Sequence, residues 1–156
     1  RRGLSKKAKA IPISCRRTRE DHQGGVTMPD VRIETRQGWI GDRKAAMLDA
    51  VHAAMVEAIK IPSDDRSLRL VEHAPECFVI PPTRSEKYTL VEITLFAGRS
   101  LDAKRALYKA IVRNLERLGV PPFDVKITLI EVPVENWGIR GGHAACDIDL
   151  GFEVRV

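Results

Sequence analysis

The sequence contains an internal repeat that spans most of its length. When residues 31–73 are laid over residues 91–133, with an offset of 60 positions, identical residues coincide without a gap over about forty positions. The matching pairs are Val31 and Val91, Ile33 and Ile93, Gly38 and Gly98, Asp42 and Asp102, Lys44 and Lys104, Ala46 and Ala106, Ala50 and Ala110, Pro62 and Pro122, and Asp64 and Asp124. A repeat of this period indicates one supersecondary unit that occurs twice and buries its apolar faces between the copies.

Each copy begins with the pattern of a strand, a turn and a helix. Apolar and polar residues alternate over 31–35 and 91–96, as in half-buried strands, and a glycine turn follows at Gly38 and Gly98. The next segment has the apolar stripe of an amphipathic helix, and in the second copy Ser100 is a suitable N-cap. The stripe comprises Leu48, Val51, Met55, Ala58 and Ile59 in the first copy, and Leu101, Leu107, Ile111, Leu115 and Leu118 in the second.

A second strand completes each unit after a short connection rich in proline and aspartate, at residues 67–73 and 125–132. Two βαβ units in tandem predict an α+β fold, a two-layer α/β sandwich whose four-stranded sheet carries both helices on one face. The other face of such a sheet is uncovered. Because the strands carry many β-branched residues on both faces, we expect the uncovered face to pack against other subunits.

The basic charge of the chain is concentrated at its amino-terminal end. The net charge is +5, but residues 1–27 hold eight basic and two acidic side chains, which leaves −1 for residues 28–156. We therefore predict a domain at 28–156, with repeats at about 29–80 and 90–135, preceded by a leader or tail outside the domain. This leader lacks the apolar stretch of a secretory signal and is interpreted as an upstream or removable segment. The alternative is a disordered basic arm that binds an anionic partner, and nucleic-acid binding is not expected elsewhere.

Several other classes of protein do not fit the sequence. No stretch approaches 18 consecutive apolar residues, so we expect no transmembrane helix. Cys15, Cys77 and Cys146 are too widely spaced for a disulfide framework or a zinc pair, which favours a cytoplasmic protein without a metal. The glycines of 138–142 lack the ending of a phosphate-binding loop, no GxSxG motif occurs, and no cofactor is predicted. His52, in the apolar stretch of the first helix, is interpreted as a packed, hydrogen-bonded histidine.

A combination of short motifs extends over residues 28–142. These are Met28-Pro29, the helix stretch 48–58, the connection 61–66, Glu72-His73, the strand and turn 93–100, the segment 104–108, Glu131-Val132 and Trp137-Gly138. This combination resembles the tautomerase superfamily, in particular the branch of malonate semialdehyde decarboxylase and its tautomerase-like relatives. The resemblance implies a tandem βαβ architecture, in agreement with the repeat, and a homotrimer that acts on a small carboxylate substrate without a cofactor.

In that family, the chemistry depends on an amino-terminal proline that is exposed when the initiator methionine is removed. Pro29 after Met28 matches this position. A free prolyl nitrogen is a secondary amine, and burial and nearby cations lower its pKa, so that it can act as a general base or acid. With residues 1–28 attached, however, the nitrogen of Pro29 is a tertiary amide without a basic lone pair. Either the active protein begins at Pro29, or this chain is an inactive or precursor form.

The resemblance also implies roles for four further residues. Arg99 matches an arginine at the strand-to-helix turn, where a guanidinium can bind a substrate carboxylate, and Asp65 matches an acidic residue that orients a water or the substrate carbonyl. Trp137 would form an apolar wall of the pocket. Arg140 would replace a second arginine, which the decarboxylases have where this chain has Ala97. The alternatives are a solvated arginine, a turn aspartate and a packing tryptophan.

The sequence thus predicts a tautomerase-like enzyme with Pro29, Asp65 and Arg99 as catalytic residues and small 2-oxo or enol carboxylates as substrates. Two alternatives stay open. The first is a malonate semialdehyde decarboxylase or hydratase activity, which would depend on Asp65. Ala97, in the place of the second arginine of the decarboxylases, weakens this assignment. The second is a non-catalytic oligomeric binding module in which Pro29 is blocked by the leader.

Overall fold

The structure, a computed structural model, describes residues 29–150, and it confirms an α+β fold made of two consecutive βαβ units. The predicted leader at 1–27 lies outside the described residues. The elements are β1 (Asp30–Arg36), α1 (Lys44–Ile59), β2 (Ser67–His73), β3 (Thr89–Phe96), α2 (Leu101–Glu116), β4 (Val125–Val132), β5 (Gly138–Ile139) and β6 (His143–Ala144). Within residues 29–150, no helix has both the length and the apolar character needed to cross a bilayer.

The two units join edge to edge through their first strands. The strand order is β2-β1-β3-β4, with β1 parallel to β2, β3 parallel to β4, and β1 antiparallel to β3. In the central pair Val31 lies opposite Ile93, and Ile33 lies opposite Val91. Positions related by the offset of 60 therefore exchange places across an approximate two-fold axis, and the sequence repeat is a structural repeat.

The units differ by one residue between equivalent positions of the helix and the second strand, so that β2 matches β4 with an offset of 59. Both connections end in the same turn: Asp65 N donates to Pro62 O at 3.1 Å, and Asp124 N donates to Pro121 O at 2.9 Å. Asp65 and Asp124 are also both buried. The expectation that Asp64 coincides with Asp124 is therefore wrong: the first unit has one residue more than the second between equivalent positions of its helix and its second strand, which makes Asp65 the equivalent residue.

The hydrophobic core lies between the sheet and the two helices. Val31 and Ile33 of β1 and Val91 and Ile93 of β3 point toward the helices and are fully buried. The helices contribute Met47, Val51, Met55 and Ile59 from α1, and Leu107, Ile111 and Leu115 from α2. Each such side chain stabilises the fold by about 1.5–3 kcal/mol. Leu101, which was expected in the apolar stripe, is 59% exposed because the first residue of α2 lies off the face that meets the core.

Within residues 29–150, the second face of the sheet carries no helix, and charged side chains lie there beside the β-branched residues that the sequence indicated. Alternation along the strands brings to this face Arg32, Glu34, Arg69, Glu92, Thr128, Lys126, Leu90 and Ile130. Arg32 forms an ion pair with Glu34, and Arg69 Nη1 lies 2.7 Å from Asp30 Oδ2. More of the β-branched residues lie on the helix side, but Val71, Thr94, Thr128, Ile130 and Val132 lie on the second face. A subunit interface on the second face would therefore combine charged and polar contacts with a few apolar side chains such as Ile130, which is 39% exposed.

Candidate active site

The predicted catalytic residues come together at one end of the sheet. At this end, which we call the proline end, β1 and β2 begin and β3 and β4 finish. Asp30 pairs with residues of both β2 and β3, so Pro29, one position earlier, lies between the start of β2 and the end of β3. Asp65 precedes β2 by two residues, and Arg99 follows β3 by three. Three separate elements thus bring Pro29, Asp65 and Arg99 to the same end.

Pro29 is buried directly before β1. A residue directly before a strand does not use its N–H in the ladder of hydrogen bonds. Proline, which has no N–H, therefore costs no hydrogen bond at this position. In the chain of 156 residues its nitrogen belongs to a peptide bond and is not basic. Were the preceding residues removed, the nitrogen would be a secondary amine, and burial of that amine would disfavour its protonated form and lower its pKa.

Asp65 is held by the α1 helix through its main chain. His52, on α1, is buried, and its Nε2 lies 3.1 Å from the carbonyl oxygen of Asp65. A carbonyl only accepts hydrogen bonds, so Nε2 carries the proton. Burial, together with the nearby Arg66 cation, lowers the pKa of His52, which is therefore neutral at pH 7. The interpretation of His52 as a packed, hydrogen-bonded histidine is confirmed. Arg66 itself forms an exposed ion pair with Asp49.

Arg99 is buried in the turn between β3 and α2 with 7% of its surface exposed. Burial lowers the pKa of its guanidinium, and the negative charge of Glu131 partly opposes this change. Glu131, near the end of β4, accepts hydrogen bonds from Gly98 N at 3.4 Å and from Lys104 Nζ at 2.6 Å. Ser100 caps α2 by accepting from the main chain, which confirms the predicted N-cap. The positive end of α2 therefore lies beside Arg99, where both favour an anion.

Trp137 packs against the end of β3. Its indole meets the ring of Phe96 edge-on, with the ring centroids 5.4 Å apart. Trp137 O accepts a hydrogen bond from Ala145 N at 2.9 Å, which fixes the segment that precedes the β5–β6 hairpin. Trp137 is only partly buried and belongs with Phe96 and Ala145 to a small apolar cluster separate from the main core. The structure thus brings this tryptophan to the proline end, in contact with the strand that leads to Arg99.

Arg140 lies in the turn of the β5–β6 hairpin and is exposed. Its Nη1 donates to Asp149 O at 3.3 Å. Its role as a substitute for the missing second arginine stays a prediction, and Ala97, at the position of that arginine, is exposed.

The opposite end of the sheet, where β3 and β4 begin, has different residue types at two of the three equivalent positions. The approximate two-fold axis relates Pro29, Arg99 and Asp65 to Thr89, Trp39 and Asp124. The carboxylate of Asp124 accepts from Ser85 N at 3.1 Å and from the Ser85 hydroxyl, so it anchors the loop before β3. Neither end holds, in the part of the chain described, a group of three His, Cys, Asp or Glu side chains placed to bind a metal ion.

Glu131 belongs to one of the sequence motifs but was given no role in the site, although the repeat carries a signal for one. At the opposite end, Glu72 of β2 forms an ion pair with Lys44 of α1. With the offset of 60 for the helices and 59 for the second strands, this pair is equivalent to the pair of Glu131 and Lys104. A search for repeated opposite charges, besides repeated apolar residues, would have found it.

Comparison with known sequences agrees with this geometry. A family model described as tautomerase enzyme matches residues 65–140. The chain is 29% identical over 123 residues to the probable tautomerase YusQ of Bacillus subtilis (strain 168). The matched segment covers 75% of this chain and 97% of that protein. It is 39% identical over 54 residues to a 2-hydroxymuconate tautomerase of Comamonas testosteroni. This matched segment covers 34% of this chain and 86% of that protein. The second match has about the length of one βαβ unit.

Solved structures share the tandem fold. A structure of malonate semialdehyde decarboxylase, described with its decarboxylase and hydratase activities, is 29% identical, and the match covers 77% of this chain and 99% of that one with a TM-score of 0.68. A fused 4-OT asymmetric trimer is 22% identical with the same TM-score of 0.68, and the match covers 76% of this chain and 97% of that one. Since these matches extend over nearly the whole of the relatives, and the fold agrees element by element with two βαβ units, the chain belongs to the tautomerase superfamily.

Proposed function

We propose that this protein is a cofactor-free tautomerase that moves a proton between oxygen and carbon in small 2-oxo and enol carboxylates. The observation that carries the proposal is the difference between the two ends of the sheet. At the proline end, buried Arg99 and buried Asp65 accompany a proline that could become an amino terminus. At the opposite end, the equivalent of the proline is Thr89, and the equivalent of Arg99 is Trp39, which has no charge.

The proposed mechanism divides the work between an anion-binding residue and a proton carrier. Arg99, beside the positive end of α2, would hold the substrate carboxylate with two parallel hydrogen bonds. The free nitrogen of Pro29 would take the proton of the enol hydroxyl, and the electrons of that O–H bond would form the carbonyl. The C=C electron pair would then take the same proton from the prolyl ammonium at carbon 3. The proton leaves oxygen and returns at carbon, so no co-reactant is needed.

The remaining residues would control the surroundings of the amine. The indole of Trp137, packed on Phe96, would form an apolar wall that limits access of water. The Asp65 carboxylate would stabilise the prolyl ammonium while it carries the proton, because opposite charges favour the charged form. The experiment that tests the proposal is an ultraviolet assay of the ketonisation of phenylenolpyruvate by the form that begins at Pro29. A rate equal to that of the enzyme-free reaction would rule out tautomerase activity on this class of substrate.

Decarboxylation or hydration of malonate semialdehyde is the second candidate, and the 29% identity to malonate semialdehyde decarboxylase supports it. These reactions need a group that orients water or the carbonyl, and buried Asp65 suits that task. Simple proton transfer by the amine does not need such a group. The exposed Ala97, at the place of a second arginine, argues against this candidate. The two candidate activities differ in how much they depend on Asp65, so a substitution of this residue can distinguish them.

Asp65→Asn should abolish one activity and spare the other. We expect decarboxylation or hydration to fall at least about a hundredfold, because the neutral amide cannot replace the carboxylate that orients the water or the carbonyl, and ketonisation to fall less than about tenfold. Both rates are measured on the form that begins at Pro29. Asp64→Asn is the matched control, since Asp64 is exposed and adjacent, and it should leave both rates unchanged. Equal losses in both reactions would indicate that Asp65 acts only on the structure.

We also propose that the protein is a homotrimer. The second face of the sheet is uncovered, and the structural neighbour of fused 4-OT type is a trimer. Light scattering at micromolar concentration should give three times the mass of one chain. Ile130→Asp, on the uncovered face, should shift the protein to a monomer because it buries an unpaired charge in the interface. Ala106→Asp, at an exposed position of α2, should leave the trimer intact. A monomeric mass for the unaltered protein would contradict the proposal.

A further inference from the structure

We propose that Glu131 is a positioning residue, which holds the turn that carries Arg99 so that its guanidinium can face the substrate carboxylate. This inference rests on the proposed function, since it assigns Arg99 the carboxylate. It concerns a residue on a different strand from Arg99, joined to the turn by hydrogen bonds of its own. Glu131 itself is not proposed to touch the substrate.

The contacts of Glu131 converge on the main chain of the Arg99 turn. Its carboxylate accepts from Gly98 N at 3.4 Å and also from the main-chain N–H of Arg99. The adjacent residue of β4, Val132, accepts from Ala97 N at 3.0 Å through its carbonyl. Three successive N–H groups, of residues 97–99, are therefore bonded to two residues of β4. The glycine is needed because its φ of 125° lies in the left-handed region, which side chains rarely adopt.

The charge of Glu131 supports the same arrangement. The hydrogen bond from Lys104 is the main reason that the pKa of Glu131 is lowered, so the carboxylate stays ionised at neutral pH. The Lys104 contact measures 2.6 Å and ties the first turn of α2 to the end of β4. A negative charge next to the turn also offsets part of the cost of burying the Arg99 cation, since burial alone disfavours the charged guanidinium.

The fold supplies a matched control at the opposite end of the sheet. Glu72 forms the equivalent ion pair with Lys44, and its side chain is 19% exposed, against 32% for that of Glu131. The residue in the place of Arg99 is there Trp39, which binds Thr35 through its indole nitrogen at 3.0 Å. Removing Glu72 therefore breaks a similar ion pair between the second strand and the helix, but far from Arg99. A purely structural role would give the two glutamates similar effects.

The experiment compares Glu131→Ala, Glu131→Gln and Glu72→Ala, each made in the form that begins at Pro29, by kinetics on phenylenolpyruvate and by thermal unfolding. Glu131→Ala should raise KM about tenfold and change kcat less than about threefold, because carboxylate binding weakens while proton transfer is retained. In Glu131→Gln the amide oxygen can still accept from the N–H groups of the turn, so KM should recover to within about threefold of the original value. Glu72→Ala should lower Tm about as much as Glu131→Ala and leave KM unchanged.

A second readout does not require catalysis. In the full chain, the main-chain amide of Arg99 should exchange with deuterium at least about tenfold faster in Glu131→Ala than in the unaltered protein and in Glu131→Gln, because its acceptor is lost. If the form that begins at Pro29, without any substitution, shows no turnover, the proposed function fails, and this exchange rate alone decides whether Glu131 holds the turn. Unchanged KM and unchanged exchange in Glu131→Ala, or an equal rise in KM for Glu72→Ala, would overturn the inference.

Discussion

A form of this protein that begins at Pro29 should ketonise phenylenolpyruvate at least about a hundredfold faster than the chain of 156 residues, since a positioned general base contributes that much or more. The reason is the state of one nitrogen. In the long chain it is an amide without a basic lone pair, and in the short form it is a secondary amine that can accept a proton. The measurement is a side-by-side assay of the two forms at equal concentration, with circular dichroism to show that both are folded.

Two variants of the short form isolate the contribution of the amine. A form with a single residue left before Pro29 restores the amide and should be as inactive as the long chain. Pro29→Ala keeps a terminal amine, but a primary and more mobile one, and should lose most of the rate without losing the fold. The rate of the short form should rise with pH as the amine deprotonates, with a midpoint below the value of about 7.7–8.0 of an ordinary α-amino group. Equal activity of the long and short forms would exclude the proline mechanism.

Arg99→Ala should raise KM about ten- to a hundredfold, which corresponds to the 1.5–3 kcal/mol of a hydrogen bond to a charged group. Arg99 is buried at 7% exposure, so its interaction with a carboxylate is poorly screened by water. The prediction is checked by steady-state kinetics on phenylenolpyruvate in the form that begins at Pro29. Because the substrate carboxylate is bound in both the ground state and the transition state, kcat should change less than KM.

Two further substitutions decide whether geometry or charge alone is responsible. Arg99→Lys keeps the charge but cannot form two parallel hydrogen bonds, and it should recover only part of the affinity. Arg105→Ala removes an exposed cation from α2, where Arg105 pairs with Asp102, and should leave KM unchanged. If Arg99→Ala had the same kinetics as the unaltered protein, Arg99 would have to be removed from the site and another cation sought for the substrate.

The repeat was sufficient to predict the fold because it constrains long-range pairing as well as local structure. A strand such as 91–96 that repeats 31–35 must bury the same face, and the antiparallel pairing of Ile33 with Val91 follows naturally from two-fold symmetry. The character of the uncovered face was predicted less well. Alternation in the sequence identifies two faces of a strand but does not say which one meets the helices, and the charged partners Arg69 and Asp30 come from different strands.

The candidate site was predicted in part. The resemblance to a family indicated Arg99 and Asp65, and the structure brings both to the proline end. The supporting contacts were not visible in the sequence, because each joins residues on different elements. His52 and Asp65 are 13 residues apart, and Glu131 lies 33 residues from the glycine it binds. The equivalence of Asp65 with Asp124 also depends on a one-residue difference between the two units, which repeat matching without a gap could not detect.

The duplicated architecture limits how many catalytic centres the polypeptide can have. A chain has one terminal amine, however many βαβ units it contains, and the start of β3 can never present a free nitrogen unless the connection after β2 is cut. A reagent that modifies the catalytic amine should therefore label one site per chain and not one per unit. In the proposed mechanism, residues at the opposite end, such as Thr89 and Asp124, take no part in proton transfer. Substitutions there should be tolerated as long as packing and the anchoring of the loop before β3 are kept, so mutational tolerance should differ sharply between the two ends of the sheet.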